Sequence, residues 1–267
     1  MLRGRDHLHL GAVDTISEGS TALAITLGGA PKTYSYTDPN EDAAAFAFGS
    51  GAVLLAVADG HHGFEASEVL LEHLIAHPAP QWTERDGTSP ETWERHVLAA
   101  LCDANAEILR ERLRSERGAS RTTVSLALVR PDEPRLLYAS IGDSHLFLVR
   151  PDKTIDLAHY ASFEPHYLGS GEETLESLGR KSRVGVEAVL DARAIVLATD
   201  GLSERGVGVE DPEAMIQQAV EAAGTAPPAL RALETARFAL EKALAAHRRN
   251  PSGDNAAAAV MWLDEAD

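Results

Sequence analysis

The sequence has little positive charge and only one cysteine. Its 267 residues include 24 lysines and arginines against 41 aspartates and glutamates, which gives a formal net charge of −17. Such a chain repels the nucleic-acid backbone and anionic membrane surfaces, so neither is expected as a partner. A lone thiol, Cys102, cannot form an internal disulfide, and this favours a reducing compartment such as the cytoplasm.

Long hydrophobic runs and aromatic residues are also scarce. No segment approaches the roughly 18 consecutive apolar residues of a transmembrane helix, and the N-terminus lacks the apolar region of a signal peptide. Aromatic residues make up 5% of the chain and hydrophobic residues 44%. We therefore expect a cytoplasmic protein whose core is built from Ala, Val, Leu and Ile.

The most informative stretch covers residues 51–63, where an apolar run ends abruptly in Asp59-Gly60-His61-His62-Gly63. A short apolar run bounded by glycine predicts a buried strand. A strand that carries one carboxylate and two imidazoles at its tip could position a metal or catalytic site. Asp-Gly after a strand is also an ordinary turn signal, so the rest of the chain has to supply partners.

The rest of the chain reads as strands and helices with two less regular segments. We expect helices where apolar residues recur every three or four positions, and strands where short apolar runs lie between turn residues. Residues 78–89 are expected to form a loop, and residues 151–190 an irregular insertion with one short helix at 172–178. Residues 33–38 are ambiguous. Predicted strands cover 21–27, 43–48, 52–58, 122–129, 136–141, 145–149, 192–199 and 256–262, and predicted helices cover 64–77, 90–117, 212–223 and 228–249.

Acidic residues lie at the ends of these predicted strands. In an antiparallel sheet the end of one strand lies beside the start of its neighbour, so acids that follow some strands and precede others can share one rim. Oxygen ligands without cysteine favour hard cations such as Mg²⁺ or Mn²⁺. Each acid alone could equally be a turn residue. The acids in question are Glu41, Asp42, Asp59, Asp143, Asp200 and Asp254.

Six short motifs contain these acids or lie between them. They are Asn40-Glu41-Asp42-Ala43, Asp59-Gly60-His61-His62-Gly63, Thr122-Thr123, Gly142-Asp143-Ser144-His145, Thr199-Asp200-Gly201-Leu202 and Gly253-Asp254-Asn255. In this order the chain resembles the metal-dependent serine/threonine protein phosphatases of type 2C. Any one motif is weak, but six in order from about residue 33 to residue 262 form a specific pattern.

The resemblance implies both a fold and an activity. The fold would be α+β, a four-layer αββα sandwich of two antiparallel sheets flanked by helices. One phosphatase domain would span residues 1–267, with a variable, flap-like insertion at about 151–190. The activity would be hydrolysis of phosphoserine and phosphothreonine in phosphorylated proteins by metal-activated water at a binuclear Mg²⁺ or Mn²⁺ centre.

The resemblance also implies metal ligands. Asp59 would bridge two metal ions. Asp200 and Asp254 would complete the ligands of the first ion, and Glu41 with the carbonyl of Gly60 those of the second.

Further roles follow from the same resemblance. Asp143 would help to hold a third, looser ion. His61 would be the general acid that protonates the leaving oxygen, and Asp42 would be a catalytic-site acid just outside the metal ligands. His62 is one position further along the chain, so its side chain is expected to point elsewhere and to have a structural role or to support the metal ligands from outside.

Two positions depart from the family pattern. Thr37 stands where the family has an arginine that grips the substrate phosphate, and His145 replaces the arginine of Gly-Asp-Ser-Arg. Threonine offers a neutral hydrogen bond where arginine offers a charged fork. The substrate-binding residue is therefore unassigned, with Lys32 or the basic cluster at residues 180–183 as candidate sources of charge.

Two other functions compete with the phosphatase. The departures at Thr37 and His145 leave open a catalytically weak relative that binds phosphoproteins as a regulatory module. A serine hydrolase with Ser144 as nucleophile is rejected, because it would need an Asp-x-x-His motif near the end of the chain. His247 has Leu244 at that position instead of aspartate.

Overall fold

The computed structural model describes residues 1–32, 40–114, 120–130, 133–158 and 166–263. Short 3-10 helices lie at Gly4–Asp6, Asp200–Leu202 and Pro228–Leu230. The α-helices are α1 (Glu65–Ala76), α2 (Pro78–Trp82), α3 (Pro90–Arg114), α4 (Leu175–Lys181), α5 (Pro212–Ala223) and α6 (Arg231–Arg249). The strands are β1 (Leu2–Arg3), β2 (Asp14–Glu18), β3 (Thr21–Thr26), β4 (Ala43–Phe48), β5 (Val53–Ala58), β6 (Gly60–His61), β7 (Arg121–Thr122), β8 (Val124–Arg130), β9 (Arg135–Ile141), β10 (His145–Val149), β11 (Thr154–Asp156), β12 (Ser182–Ala188), β13 (Ala194–Ala198) and β14 (Ala256–Trp262).

Two antiparallel sheets form the centre of the molecule. The first has the strand order β1-β4-β5-β8-β9-β12 and the second β11-β10-β13-β14-β3-β2, while β6 and β7 form a short separate ribbon. Helices α1 and α3 pack on the outer face of the first sheet, and α5 and α6 on that of the second. The predicted four-layer αββα sandwich is confirmed.

The central strands are apolar along their whole length because both of their faces are buried. In β5, Leu54 and Ala56 face α1 and α3, whereas Leu55 and Val57 face the second sheet. Successive side chains of a strand point to opposite faces, so a strand in an inner layer needs apolar residues at every position. This explains why residues 52–58 show no alternation of polar and apolar residues.

The strand register brings the acidic segments to one rim of the sandwich. Ala43 pairs with Ala58, so Asp42 and Asp59 lie just beyond a shared rung of the first sheet. In the second sheet His145 pairs with Ala198, which places the turn before β10 beside the end of β13. The sandwich therefore gathers the strand ends as the antiparallel pattern predicted.

The loop predicted at residues 78–89 is wrong for its first five residues, which form α2. Pro78 and Pro80 fit the first turn of a helix, where an N–H has no partner inside the helix. Trp82 is buried and packs edge-on against Trp93 of α3, with ring centroids 5.1 Å apart. Tertiary burial of one large side chain thus fixes a helix too short to show periodicity.

The irregular insertion predicted at 151–190 is also more regular than expected. It contains β11, a helix that runs from Leu175 to Lys181 instead of 172 to 178, and the seven-residue strand β12. β12 pairs with β9 along its length at the edge of the first sheet. Its polar and half-buried residues gave no apolar run, which is why the sequence did not reveal it.

Two smaller differences concern strands. The strand predicted at 122–129 is split at Thr123 into β7 and β8, because the hydroxyl of Thr123 accepts the backbone N–H of Asp59 at 3.2 Å. The mixed segment at residues 1–20 contains β1 and β2, which no pattern predicted. The ambiguous residues 33–38 and the predicted end of α3 lie outside the described residues.

Across the described ranges, no helix combines the length and the apolar composition required to cross a bilayer.

The packing of α3 on the first sheet gives a stability prediction. Leu101 is fully buried, whereas Leu113 of the same helix is 89% exposed. Leu101→Ala should lower the free energy of unfolding by about 2–5 kcal/mol through lost burial and the cavity left behind. The matched control, Leu113→Ala, should change it by less than about 0.5 kcal/mol. Urea denaturation of both variants measures the difference, and equal effects would contradict this packing.

Candidate active site

Three carboxylates from different segments meet at the rim of the sandwich. Asp59 follows β5 of the first sheet, Asp200 follows β13 of the second, and Asp143 lies in the turn between β9 and β10. One carboxylate oxygen from each lies within 4.8 Å of the other two, close enough to share a metal ion. The site therefore bridges the two sheets.

Glu41 and Asp42 bring two buried acids to the same rim from the start of β4. The hydroxyl of Thr199 donates to Asp42 Oδ2 at 2.7 Å, and the backbone N–H of Gly63 donates to Glu41 Oε1 at 2.5 Å. Glu41 donates its own N–H to Asn255 Oδ1 at 3.0 Å. These bonds tie the first acidic motif to the last two motifs of the chain.

Lys32 lies among the acids and does not face outward. Its Nζ is 3.0 Å from Asp254 Oδ1 and 3.4 Å from Glu41 Oε2. Burial alone would lower the pKa of Lys32, but the charges of Asp254 and Glu41 outweigh burial and raise it. As a candidate source of charge for substrate binding, Lys32 is thus engaged with carboxylates that the resemblance implies as metal ligands.

The acids at the rim carry unfavourable negative charge. Burial raises the pKa of Asp59 well above its usual value, and the charges of Asp200 and Asp42 raise it further. Burial likewise raises the pKa of Asp200, and that of Asp42 to about 7. Clustered carboxylates resist ionisation unless a cation compensates them. An all-oxygen set of this kind fits a hard divalent ion such as Mg²⁺ or Mn²⁺.

The loop after β5 is held by its neighbours. Thr122 Oγ1 donates to the carbonyl of Asp59 at 2.8 Å, and the Thr123 hydroxyl lies 2.7 Å from that of Ser144. A Cβ on Gly60 would lie 2.4 Å from the carbonyl oxygen of Glu41, so there is no room for a side chain at this position. The Thr-Thr motif therefore fixes the backbone that carries Asp59.

His247 is a positioning residue that the sequence did not reveal. It is fully buried in α6, and its Nε2 lies 2.8 Å from the carbonyl oxygen of Gly201. Its Nδ1 accepts the N–H of Gly29 at 3.1 Å. The imidazole therefore joins the loop after β13 to the loop after β3. It occupies the apolar stripe of its helix, and only that mismatch in polarity could have drawn attention to it.

His61 lies beside the acids in a group of rings. Its ring stacks on Tyr167 with centroids 5.2 Å apart, and His62 packs edge-on against it at 4.6 Å. Burial, followed by the charge of Arg121, lowers the pKa of His61 to about 4. Without a bound cation the ring is neutral at neutral pH, so it can donate a hydrogen bond through one N–H. His62 has a φ of +65°, and its ring lies against that of His61, so the expectation that the two side chains point apart is wrong.

His145 has a structural role in place of the family arginine. Its Nδ1 lies 2.7 Å from Asp156 Oδ2, and its Nε2 lies 2.5 Å from the hydroxyl of Ser203. Both ring nitrogens are thus engaged. Ser144 is 1% exposed and bonded to Thr123, as the rejection of a serine nucleophile at this position requires.

The basic cluster at residues 180–183 is a weak candidate for phosphate binding, because two of its cations are paired with acids. Arg180 pairs with Glu176 at 2.6 Å and Lys181 pairs with Glu173 at 2.6 Å, so both are engaged on α4. Thr37 lies outside the described residues.

Comparison with known protein families agrees with the geometry of the site. A family model described as protein phosphatase 2C matches residues 32–245, which is most of the chain. The chain belongs to the protein phosphatase 2C family. The predicted enzyme class, a metal-dependent serine/threonine protein phosphatase, is confirmed with it. No curated protein sequence matches the chain.

Solved structures of this family share the fold. A bacterial serine phosphatase is 15% identical with a TM-score of 0.69, and the match covers 94% of this chain and 100% of the other. Serine/threonine phosphatase Stp1 from Staphylococcus aureus is 15% identical with a TM-score of 0.64, covering 98% and 100%. The catalytic domain of the serine/threonine phosphatase PstP, solved with two manganese ions, is 21% identical with a TM-score of 0.63, covering 95% and 100%.

The raised pKa values of the acids predict how stability depends on pH. Asp42 stays protonated up to a pKa of about 7 in the folded protein, against 3.8 in the unfolded chain. The folded state then binds more protons between these two values, so in EDTA the free energy of unfolding should fall from about pH 4 to about pH 7. Saturating Mg²⁺ favours ionised carboxylates and should flatten this decline.

Urea midpoints at both pH values, with EDTA and with Mg²⁺, measure the effect. Asp59→Asn removes one of the acids whose pKa is raised and should reduce the decline in EDTA. Stability that rises over this interval in EDTA would contradict the description of the site.

Lys32 gives a second prediction. Lys32→Met leaves Glu41 and Asp254 without this cation, and losing one partner of a buried pair costs about 3–5 kcal/mol. The loss should be large in EDTA and much smaller in saturating Mg²⁺, because the metal replaces the missing charge. Thermal denaturation measures both, with the exposed Lys153→Met as control. An equal loss under both conditions would show that Lys32 and the metal do not share these acids.

Proposed function

We propose that this chain hydrolyses phosphoserine and phosphothreonine in proteins with Mg²⁺ or Mn²⁺ at a binuclear centre. The observation that carries the proposal is the meeting of Asp59, Asp143 and Asp200 from both sheets within 4.8 Å. Family membership supports the same chemistry. We further propose a single domain over residues 1–267 with a flap-like insertion at about 151–190, and a cytoplasmic location.

The residues that would hold the ions are those that the resemblance implied. Asp59 would bridge both, Asp200 and Asp254 would bind one, and Glu41 with the carbonyl of Gly60 would bind the other. When bound, such ions neutralise charge on the phosphoryl group and activate the attacking water. The relative solved with two manganese ions supports a site for two metal ions in this fold.

Asp143 and Asp42 would have different roles. Asp143 is exposed at the edge of the cluster, which suits a third and looser ion. Asp42 is 1% exposed and receives the Thr199 hydroxyl, which suits an acid that supports the ligands from behind.

His61 would act on the leaving oxygen of the substrate serine or threonine. Its ring lies beside the acidic cluster, and burial, followed by the charges of Arg121 and His62, lowers its pKa to about 4 and keeps it neutral at neutral pH. A neutral imidazole donates one N–H, so it would hydrogen-bond to the leaving oxygen as negative charge develops there. This hydrogen bond should accelerate hydrolysis most for a poor leaving group such as the serine hydroxyl.

A regulatory phosphoprotein-binding module is the second candidate. The observation that favours it is the engagement of His145 with Asp156 and Ser203, which leaves neither ring nitrogen for a phosphate. Such a module would bind phosphopeptides in the presence of metal but turn over none of them.

Hydrolysis assays separate the two candidates. Para-nitrophenyl phosphate and a phosphothreonine peptide are incubated with the protein in Mn²⁺ and in EDTA. We expect Mn²⁺-dependent turnover of both. Asp59→Asn and Asp200→Asn should each lower kcat/KM by at least about 100-fold, because they remove several kcal/mol of charge stabilisation.

Two controls sharpen the assay. Asp152→Asn changes an exposed acid in a turn and should leave kcat/KM unchanged. His61→Asn should slow the phosphothreonine peptide more than the nitrophenyl ester, whose leaving group needs no proton. A folded, Mn²⁺-loaded wild type that binds the phosphopeptide without hydrolysing it would favour the regulatory module.

A further inference from the structure

The cation that binds the substrate phosphate is the open question of this site. We propose that Arg121, held on the ring of Tyr167 at the rim of the acidic cluster, binds the substrate phosphate in place of the family arginine. The inference deepens the proposed phosphatase function and rests on it.

The position of Arg121 is fixed by the short ribbon beside the cluster. It pairs with His61 across β6 and β7, so the two residues lie opposite each other. The next residue, Thr122, donates its hydroxyl to the carbonyl of Asp59 at 2.8 Å. Arg121 is thus one residue away from the bond that holds the central acid, on a backbone segment with little freedom.

Tyr167 provides the surface on which the guanidinium lies. The Cζ atom of Arg121 is 4.3 Å from the centre of the Tyr167 ring, and this ring also stacks on that of His61 with centroids 5.2 Å apart. The tyrosine is itself anchored, because Leu168 exchanges two backbone hydrogen bonds with Thr122 at 2.9 and 2.8 Å. A guanidinium on an aromatic face keeps its N–H edge available for a two-pronged bond to phosphate.

This stacked group faces the acidic cluster. Burial raises the pKa of the Tyr167 hydroxyl, and the charges of Asp143, Asp59 and Asp200 raise it further. The ribbon lies against the loop that carries Asp59, since Thr122 pairs with Gly60 and the Thr123 N–H donates to the Asp59 carbonyl at 3.0 Å. A phosphoryl group held over Asp59 and Asp200 would therefore have the Tyr167 hydroxyl and the Arg121 guanidinium along one side.

Arg121 has different partners from the two lysines considered above, Lys32 and Lys181. Within the described part of the chain it forms no ion pair with a carboxylate, and its buried Nε has no hydrogen-bond partner. Lys32 forms ion pairs with Glu41 and Asp254, and Lys181 forms one with Glu173. An arginine whose charge is not already matched by an acid can give its full attraction to an incoming dianion.

The test measures inorganic phosphate binding to the Mn²⁺-loaded protein by calorimetry, together with KM and kcat for both phosphate esters. Arg121→Met should weaken phosphate binding and raise KM by about 10- to 100-fold, the loss expected for a charge-assisted pair. The change in kcat should stay within about threefold, because the proposed role lies in ground-state binding as much as in the transition state. Arg121→Lys should recover only part of the affinity.

Three further variants test the geometry. Arg183→Met removes an exposed arginine of the basic cluster and should leave phosphate binding unchanged. Tyr167→Phe keeps the ring and should retain most of the affinity, whereas Tyr167→Leu removes the ring and should approach the loss seen in Arg121→Met. Mn²⁺ affinity, measured by the same method, should stay within about threefold in every variant.

The outcomes are distinct. Wild-type phosphate affinity in a folded Arg121→Met protein would overturn the proposal, as would a loss seen only in Arg183→Met. A parallel loss of Mn²⁺ affinity would make Arg121 a structural residue and overturn it as well. If the wild type hydrolyses neither ester, the phosphatase function fails, but the phosphate titration still decides the role of Arg121. If the wild-type protein binds no phosphate, the proposal is overturned.

Discussion

Repulsion among clustered carboxylates is the constraint on which this structure depends. Asp59 and Asp200 come from different sheets and face each other at one rim, where burial makes their negative charge costly. No single strand could bring them together, so the acidic cluster requires the sandwich. Conversely, the sandwich must be stable enough to hold groups that repel one another, which the three apolar layers around the strands accomplish.

Neutral hydrogen-bonding groups hold the cluster in place. Thr199 binds the carboxylate of Asp42, Thr122 the carbonyl of Asp59, and Asn255 the N–H of Glu41. Because these groups are uncharged, they position the acids without neutralising them, and the negative charge remains for a metal to compensate. Lys32 is the exception, and its ammonium partly takes the place that a divalent ion would fill.

The sequence was sufficient to predict the strands and the acids at their ends, because buried strands are short apolar runs and the acids lie beside them. The sandwich itself was implied by the family resemblance that the six ordered motifs carry. The sequence was insufficient for elements whose stability comes from distant partners. Trp82 fixes α2 by packing on Trp93, and β12 exists through its pairing with β9. The only sign of His247 in the sequence was a polar residue in the apolar stripe of α6, and this sign does not show that the ring reaches both Gly29 and Gly201. These elements and side chains depend on contacts between residues far apart in the chain, and a local sequence pattern carries no information about such contacts.

An acidic rim also limits where a phosphate-binding cation can lie. A flexible ammonium placed near the acids is drawn onto them, as Lys32 is on Glu41 and Asp254. A guanidinium carried on a short strand and laid over an aromatic ring is more restricted, since the contact with the ring limits where it can lie. Arg121 meets this condition through Tyr167, and the Leu168 backbone locks Tyr167 to the same ribbon that holds Asp59. The separation of cation from acids is therefore built into the backbone, and it allows a strongly negative protein to receive a negative substrate.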